Sequence, residues 1–134
     1  MISKLPFPTE FTHAHIYFTP ATREIADRFR AKIIKSFADR TQISRLIDRP
    51  IGPHPVPMFE VDFHSDVAIE LAPFMEKERE GLSILVHPVS EDEVVDHTER
   101  AVWMGQKLEL NIDFLRQFMA GKVESVRTGL HKKT

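Results

Sequence analysis

Cysteine is absent from this 134-residue chain. That excludes disulfides and thiolate metal sites, and it fits a reducing, cytoplasmic setting. Glycine is scarce: there are five, and Gly52 and Gly105 stand isolated, so no glycine-rich loop is present to cradle a phosphate. No G-x-S-x-G nucleophile turn occurs. Neither sign of charge dominates. With 18 Lys and Arg against 20 Asp and Glu, the formal charge is −2, which offers no electrostatic case for nucleic-acid binding. No apolar run approaches the length of a membrane span. The opening MISKLPFPTEF carries no apolar core of signal-peptide length. The expectation is therefore a cytoplasmic protein with no membrane or nucleic-acid partner. Internal repeats and low-complexity segments are lacking too. The length suits a single domain over residues 1–121, followed by a polar tail over 122–134.

Histidine is what the chain does have. There are seven, and five fall in suggestive places. His13 and His15 open an apolar segment, HAHIYF. His54 sits in a Gly-Pro-rich turn, GPHP. His87 closes another apolar segment, ILVHP, and His97 follows in DHTERAVW. Imidazoles at strand ends and loops, with carboxylates nearby and no thiols, point to a nitrogen/oxygen metal site or to acid–base chemistry. His131 lies in the polar tail and His64 is poorly placed, so both are set aside.

Hydrophobic periodicity orders the rest. Residues 13–18 alternate as a strand does. Ala14, Ile16 and Phe18 share one face, and His13, His15 and Tyr17 the other. Thr19-Pro20 reads as a helix start. The helix that follows runs to about residue 39, with Ile25, Phe29, Ile33 and Phe37 spaced four apart on its apolar stripe. A short strand is expected over 42–47, then a stiff proline-rich connection over 48–57. Residues 58–63 alternate again, with Phe59, Val61 and Phe63 opposite Met58, Glu60 and Asp62. Ser65 caps a second helix, which Pro73 should kink or split and which should end near Gly81. Residues 82–86 form a strand. Ser90-x-x-Glu93 reads as a capping box for a short helix. A last helix spans 111–120, with Phe114, Leu115 and Phe118 buried.

Strand, helix, strand, strand, helix, strand is the α+β, ferredoxin-like split βαβ order, here with a C-terminal helical extension. It predicts a four-stranded antiparallel sheet with helices on one face. The first strand lies in the middle, so His13 and His15 meet Asp62 and His87 from distant sequence, with Glu60 one pleat further in. Ideal topology leaves His54 at the far end. The uncovered face calls for a partner, hence a homodimer, unless residues 91–120 cover it.

Two imidazoles in H-x-H share a strand face about 7 Å apart, close enough to approach one metal. His13, His15, His54 and His87, with Glu60 or Asp62, supply the material for a 2-His-1-carboxylate site with open positions. The alternative is a polar face whose histidines bond to one another and to Glu60 without metal. His54 also reads as an exposed turn residue, and Asp96-His97 as either an acid–base pair or a solvent-facing helical turn. Trp103 fits the core or the wall of an aromatic pocket.

HAHIYF, RPIGPHPVPMFEV, ILVHP and DHTERAVWMGQKLEL, in that order, resemble the DOPA 4,5-dioxygenase family, the short fungal and bacterial type of extradiol ring-cleaving enzyme. The likeness runs from about Phe11 to Phe118. It implies a ferredoxin-like fold, non-haem Fe(II) (a site that another divalent metal such as zinc could occupy in the purified protein), and cleavage by O2 of a catechol ring beside its two hydroxyls. On that resemblance His15, His54, His87 and Glu60 are the expected metal residues, with an all-histidine site as the competing arrangement. His97, then His13, are the expected proton-transfer groups. Tyr17, Arg100 and Trp103 are expected to bind substrate, with Arg49 or Lys107 as other candidates for a substrate carboxylate. The competing functions are a non-catalytic metal- or ligand-binding dimer and a cofactor-free oxygenase on the same fold.

Overall fold

A computed structural model describes residues 4–121. The proposed tail and His131 lie outside the described residues. Five strands form one antiparallel sheet: β1 (Phe11–Tyr17), β2 (Thr41–Ile43), β3 (Met58–His64), β4 (Ile84–Pro88) and β5 (Val102–Met104), in the order β2-β3-β1-β4-β5. The first four reproduce the split βαβ order expected from sequence. The fifth, on the edge beyond β4, was not foreseen: three residues are too few to show alternation.

Two helices cover one face, α1 (Arg23–Phe37) and α2 (Ala68–Glu78). The expected stripe of α1 is buried at Phe29, Ile33 and Phe37, with Ala26 beside them and Ile25 half-buried. It packs on Ala14 and Ile16 of β1 and on Phe59, Val61 and Phe63 of β3, all fully buried in one apolar core. Pro73 lies inside α2, which nonetheless continues as one helix. Its missing N–H removes a single helical bond, and Leu71, Ala72 and Met75 keep that turn packed. Ser65 does not cap this helix. Its hydroxyl bonds the Thr12 hydroxyl at 2.7 Å. Gly81 (φ +85°) and Glu80 (φ +51°) both turn left-handed before β4.

The second face is covered within the chain. At one end, Tyr17, Met58 and Leu85 pack with Ile47 and Trp103 into a smaller apolar cluster. The segment 48–57 folds over this end. It is held by reciprocal backbone bonds between Ile47 and Met58 and by the Asn111 amide on the Pro53 carbonyl at 2.8 Å. Two short helices follow β4: α3 (Glu93–His97) and, after β5, α4 (Ile112–Met119). Asp92, not Ser90, caps α3, its carboxylate accepting from the Val95 amide at 3.0 Å. In α4 only Leu115 is fully buried, and Phe114 and Phe118 are half-buried.

The sheet core sets a stability test. Phe59 is fully buried, 6.3 Å ring to ring from Phe29. Phe59→Ala is expected to lower unfolding free energy by about 3–5 kcal/mol. Ile34→Ala, at a side chain 36% exposed, should change it by only about 0.5 kcal/mol. Urea unfolding of both variants checks the contrast.

Candidate metal and active site

Antiparallel register builds the site. His13 lies opposite Asp62 of β3 and opposite His87 of β4, while His15 lies opposite Glu60. These are same-face cross-strand partners, and all five side chains are buried. The result is a polar patch at the end of the face remote from the Tyr17–Trp103 cluster. His54 joins it because the 48–57 segment folds back over the sheet: its ring centroid is 4.1 Å from that of His15. His97 arrives from α3, with its ring 4.0 Å from that of His87. All five histidines of the sequence reading therefore meet in one cluster. His64 ends β3 with its side chain exposed, apart from the group.

The hydrogen bonds assign ring nitrogens. His87 Nδ1 is 2.8 Å from the Pro88 carbonyl and His97 Nδ1 is 2.7 Å from the Glu93 carbonyl. A carbonyl can only accept, so each Nδ1 carries the proton and each neutral ring keeps its Nε2 lone pair. His15 Nε2 lies 3.0 Å from His87 Nε2. Tyr17 Oη lies 2.8 Å from His54 Nδ1. His13 stands between two carboxylates, Nδ1 3.3 Å from Glu60 Oε2 and Nε2 3.5 Å from Asp62 Oδ1.

Burial keeps the central imidazoles neutral. Desolvation first, and then the neighbouring histidines, hold His15 and His87 well below the usual histidine range. Desolvation and then His97 bring His54 from 6.5 to about 3. Burial, with Glu60 nearby, pushes the Tyr17 phenol upward and keeps it protonated. Neutral imidazoles with unshared electron pairs are what a divalent metal takes as ligands.

The residues fit a metal on two further counts. One nitrogen each from His13, His15 and His87 lie within 4.8 Å of one another. The 3.0 Å between His15 and His87 is within the span of two nitrogens bound at ~2.1 Å to one ion. In addition, His15 Nδ1 is buried without a hydrogen-bond partner. With His15 Nε2 given to a metal, Nδ1 would carry the proton and face Glu60 Oε1, now 4.0 Å away. A carboxylate behind a ligating histidine is a common supporting arrangement. Among the described residues, a second group of metal-capable atoms is His13, Glu60 and Asp62. Neither group includes His54 or His97.

A cleft opens onto these side chains, about 590 Å³ with its mouth included. Its floor is imidazole and Glu60. Its walls are apolar, from Ile51, Met58, Val89, Phe114 and Phe118. The half-buried aromatics of α4 thus face the cleft, a role the sequence pattern had given to the core. Tyr17 and Trp103 do not line it. They stack on each other behind His54, ring centroids 5.9 Å apart. Arg100 is placed elsewhere too: its guanidinium bonds Asp96 and Ser90, each at 3.1 Å, beside a different surface groove. Asp96 is buried and also accepts from the Ser90 amide at 2.8 Å, so it is not the partner of His97. Glu93, which lines the cleft one helical turn before His97, was missed. The i,i+4 spacing of Glu93 and His97 was the available signal.

The family model described as "Dopa 4,5-dioxygenase family" matches residues 12–114, a stretch that holds β1 but for its first residue, the other four strands, α1 to α3 and all five clustered histidines. This chain belongs to that family. It is 38% identical over 119 residues to an "Uncharacterized 21.2 kDa protein" of Botryotinia fuckeliana, covering 81% of this chain and 64% of that one. It is 32% identical over 107 residues to the "DOPA 4,5-dioxygenase" of Amanita muscaria, covering 75% and 47%. The chain thus spans about half to two thirds of the length of these relatives. A crystal structure of a "putative dioxygenase" from Nostoc punctiforme superposes with a TM-score of 0.76 at 42% identity, covering 82% of this chain and 94% of that one. Both the family's description and the Nostoc protein's are of a dioxygenase.

The buried imidazoles predict an acid limit for the metal-free protein. Their folded pKa values lie below the unfolded value of 6.5, so the unfolded chain takes up protons first. Stability from this source is complete above about pH 6.5 and falls as the pH drops toward 3. At pH 5 one such imidazole accounts for a loss on the order of 2 kcal/mol. Urea midpoints in EDTA at pH 7.5 and pH 5 should show the decline, and an unchanged midpoint would contradict it.

Proposed function

We propose that this chain is an extradiol dioxygenase that inserts O2 into a catechol, DOPA-like ring at a non-haem Fe(II) site. The observation that carries this reading is the triad of buried histidines, His13, His15 and His87, converging at the floor of an apolar-walled cleft. These three would hold the metal, a revision of the sequence expectation that gave His54 and Glu60 that task. Glu60 faces His13 at 3.3 Å and His15 at 4.0 Å, so it orients two of the three ligands. Three protein ligands leave coordination positions open for substrate and O2.

Bound Fe(II) would acidify the hydroxyls of a chelated catechol and hold the ring beside O2. His97 would take the remaining hydroxyl proton. Its Nδ1 is tied to the Glu93 carbonyl, so Nε2 is the nitrogen that would act as base. The Glu93 carboxylate, 3.9 Å from Nδ1, stabilises the imidazolium so formed. The same nitrogen would return the proton to the cleaved product. Phe114 and Phe118 supply apolar walls for the ring and exclude water from it.

Anaerobic loading with Fe(II), followed by a panel of catechols in air, tests the reading. Consumption of O2 with formation of a yellow semialdehyde is expected for at least one catechol. No turnover in protein with confirmed Fe(II) would refute it. Fully protein-filled coordination of the bound metal would point instead to a non-catalytic binding protein. Activity that survives chelation would point to a cofactor-free oxygenase. His97→Ala should keep its iron and lose about 10²–10⁴-fold in kcat. His87→Ala should lose the iron itself, which metal analysis reads directly.

A further inference from the structure

His54 is buried and lines the cleft, yet it lies outside both groups of metal-capable atoms. Its position is over-determined. The turn that carries it is closed by its own amide on the Ile51 carbonyl at 3.0 Å and by the Asn111 amide on the Pro53 carbonyl at 2.8 Å. The side chain is fixed from behind by Tyr17, whose hydroxyl lies 2.8 Å from His54 Nδ1. Tyr17 is itself clamped by the stacked Trp103 ring.

The phenol decides the tautomer. A protonated, buried hydroxyl that only accepted would leave its own proton unsatisfied. Among the described residues the acceptor within reach of Tyr17 Oη is His54 Nδ1. A neutral imidazole that accepts at Nδ1 carries its proton at Nε2. We infer that Tyr17 holds His54 as its Nε2–H tautomer, making His54 a hydrogen-bond donor to an anionic oxygen of the bound ligand rather than a metal ligand. The oxygen class is that of a catecholate or of reduced O2, and the ring faces it as a fixed dipole that needs no reorganisation. Tyr17 is then a positioning residue that acts through His54, not a wall of the substrate pocket. The ligand identity rests on the dioxygenase reading, whereas the tautomer does not.

Long-range ¹H–¹⁵N correlation spectra test the tautomer on metal-free protein and on protein loaded with Zn(II), a diamagnetic probe. His54 should show a protonated Nε2 and a hydrogen-bonded Nδ1 in both. A protonated Nδ1, or a zinc-bound Nε2, would overturn the inference. Metal affinity gives an independent reading. His54→Ala should leave Zn(II) affinity within about threefold, while His87→Ala should weaken it by roughly a hundredfold or more. Equal losses in the two variants would overturn the inference.

The donor role is read with 4-nitrocatechol on the zinc-loaded protein. His54→Ala should weaken its binding by roughly tenfold, the value of one hydrogen bond to an anion. His54→Gln, which restores an N–H donor, should recover most of that loss, and Tyr17→Phe should show an intermediate loss with unchanged zinc affinity. A glutamine variant as weak as alanine would overturn the donor role. Failure to take up any metal would refute the proposed iron site and leave the metal-free tautomer measurement decisive for Tyr17 and His54.

Discussion

Five imidazoles and a glutamate crowd one end of a small sheet face, and burying them is the constraint that shapes the second half of the molecule. Each polar group taken from water must find a partner or lose its charge. The histidines do both. Pro88 and Glu93 carbonyls tie two of them, Tyr17 ties a third, and burial keeps three neutral. One buried nitrogen, Nδ1 of His15, is left without a hydrogen bond. It is also the nitrogen that would carry the ring proton, facing Glu60, with a metal at Nε2. The cluster could hold a metal ion, which would complete its hydrogen bonding.

The two sheet faces divide the labour. Phe29, Phe59, Phe63 and their neighbours form a conventional apolar core under α1 and α2, and this core fixes the register of β1 against β3 and β4. A slip of one residue would exchange Ala14 and Ile16 for His13 and His15 on the helix side. Core packing therefore specifies which imidazoles meet. The other face is apolar around Tyr17 and Trp103 and polar around His13 and His87. Covering it falls to the 48–57 segment, α3 and α4, and those pieces also supply His54, His97 and the aromatic walls.

This division explains what the sequence could and could not reveal. Alternation in HAHIYF and MFEVDF was enough to place His13 and His15 beside Glu60 and Asp62, and the strand order was enough to bring in His87. Such patterns are local and periodic. The return of His54 was not legible, because it depends on the Ile47–Met58 backbone bonds and the Asn111–Pro53 bond, and backbone groups carry no residue signature. Three-residue β5 is too short for a period. Asp96 looked like a partner for His97 by adjacency, yet its carboxylate is spent on Ser90 and Arg100, which also removes Arg100 from the cleft. The family motifs flagged His54 and His97 but not their hydrogen-bond partners, Tyr17 and the Glu93 carbonyl.

The central claim is that the sheet itself builds a metal centre from His13, His15 and His87. Anomalous diffraction at the iron edge, on crystals loaded anaerobically with Fe(II), tests it most directly. The account predicts one strong peak at the floor of the cleft, at ligand distance from one ring nitrogen of each of these three histidines and not from His54. A peak coordinated by His54, or no peak in the cluster at full iron loading, would contradict it.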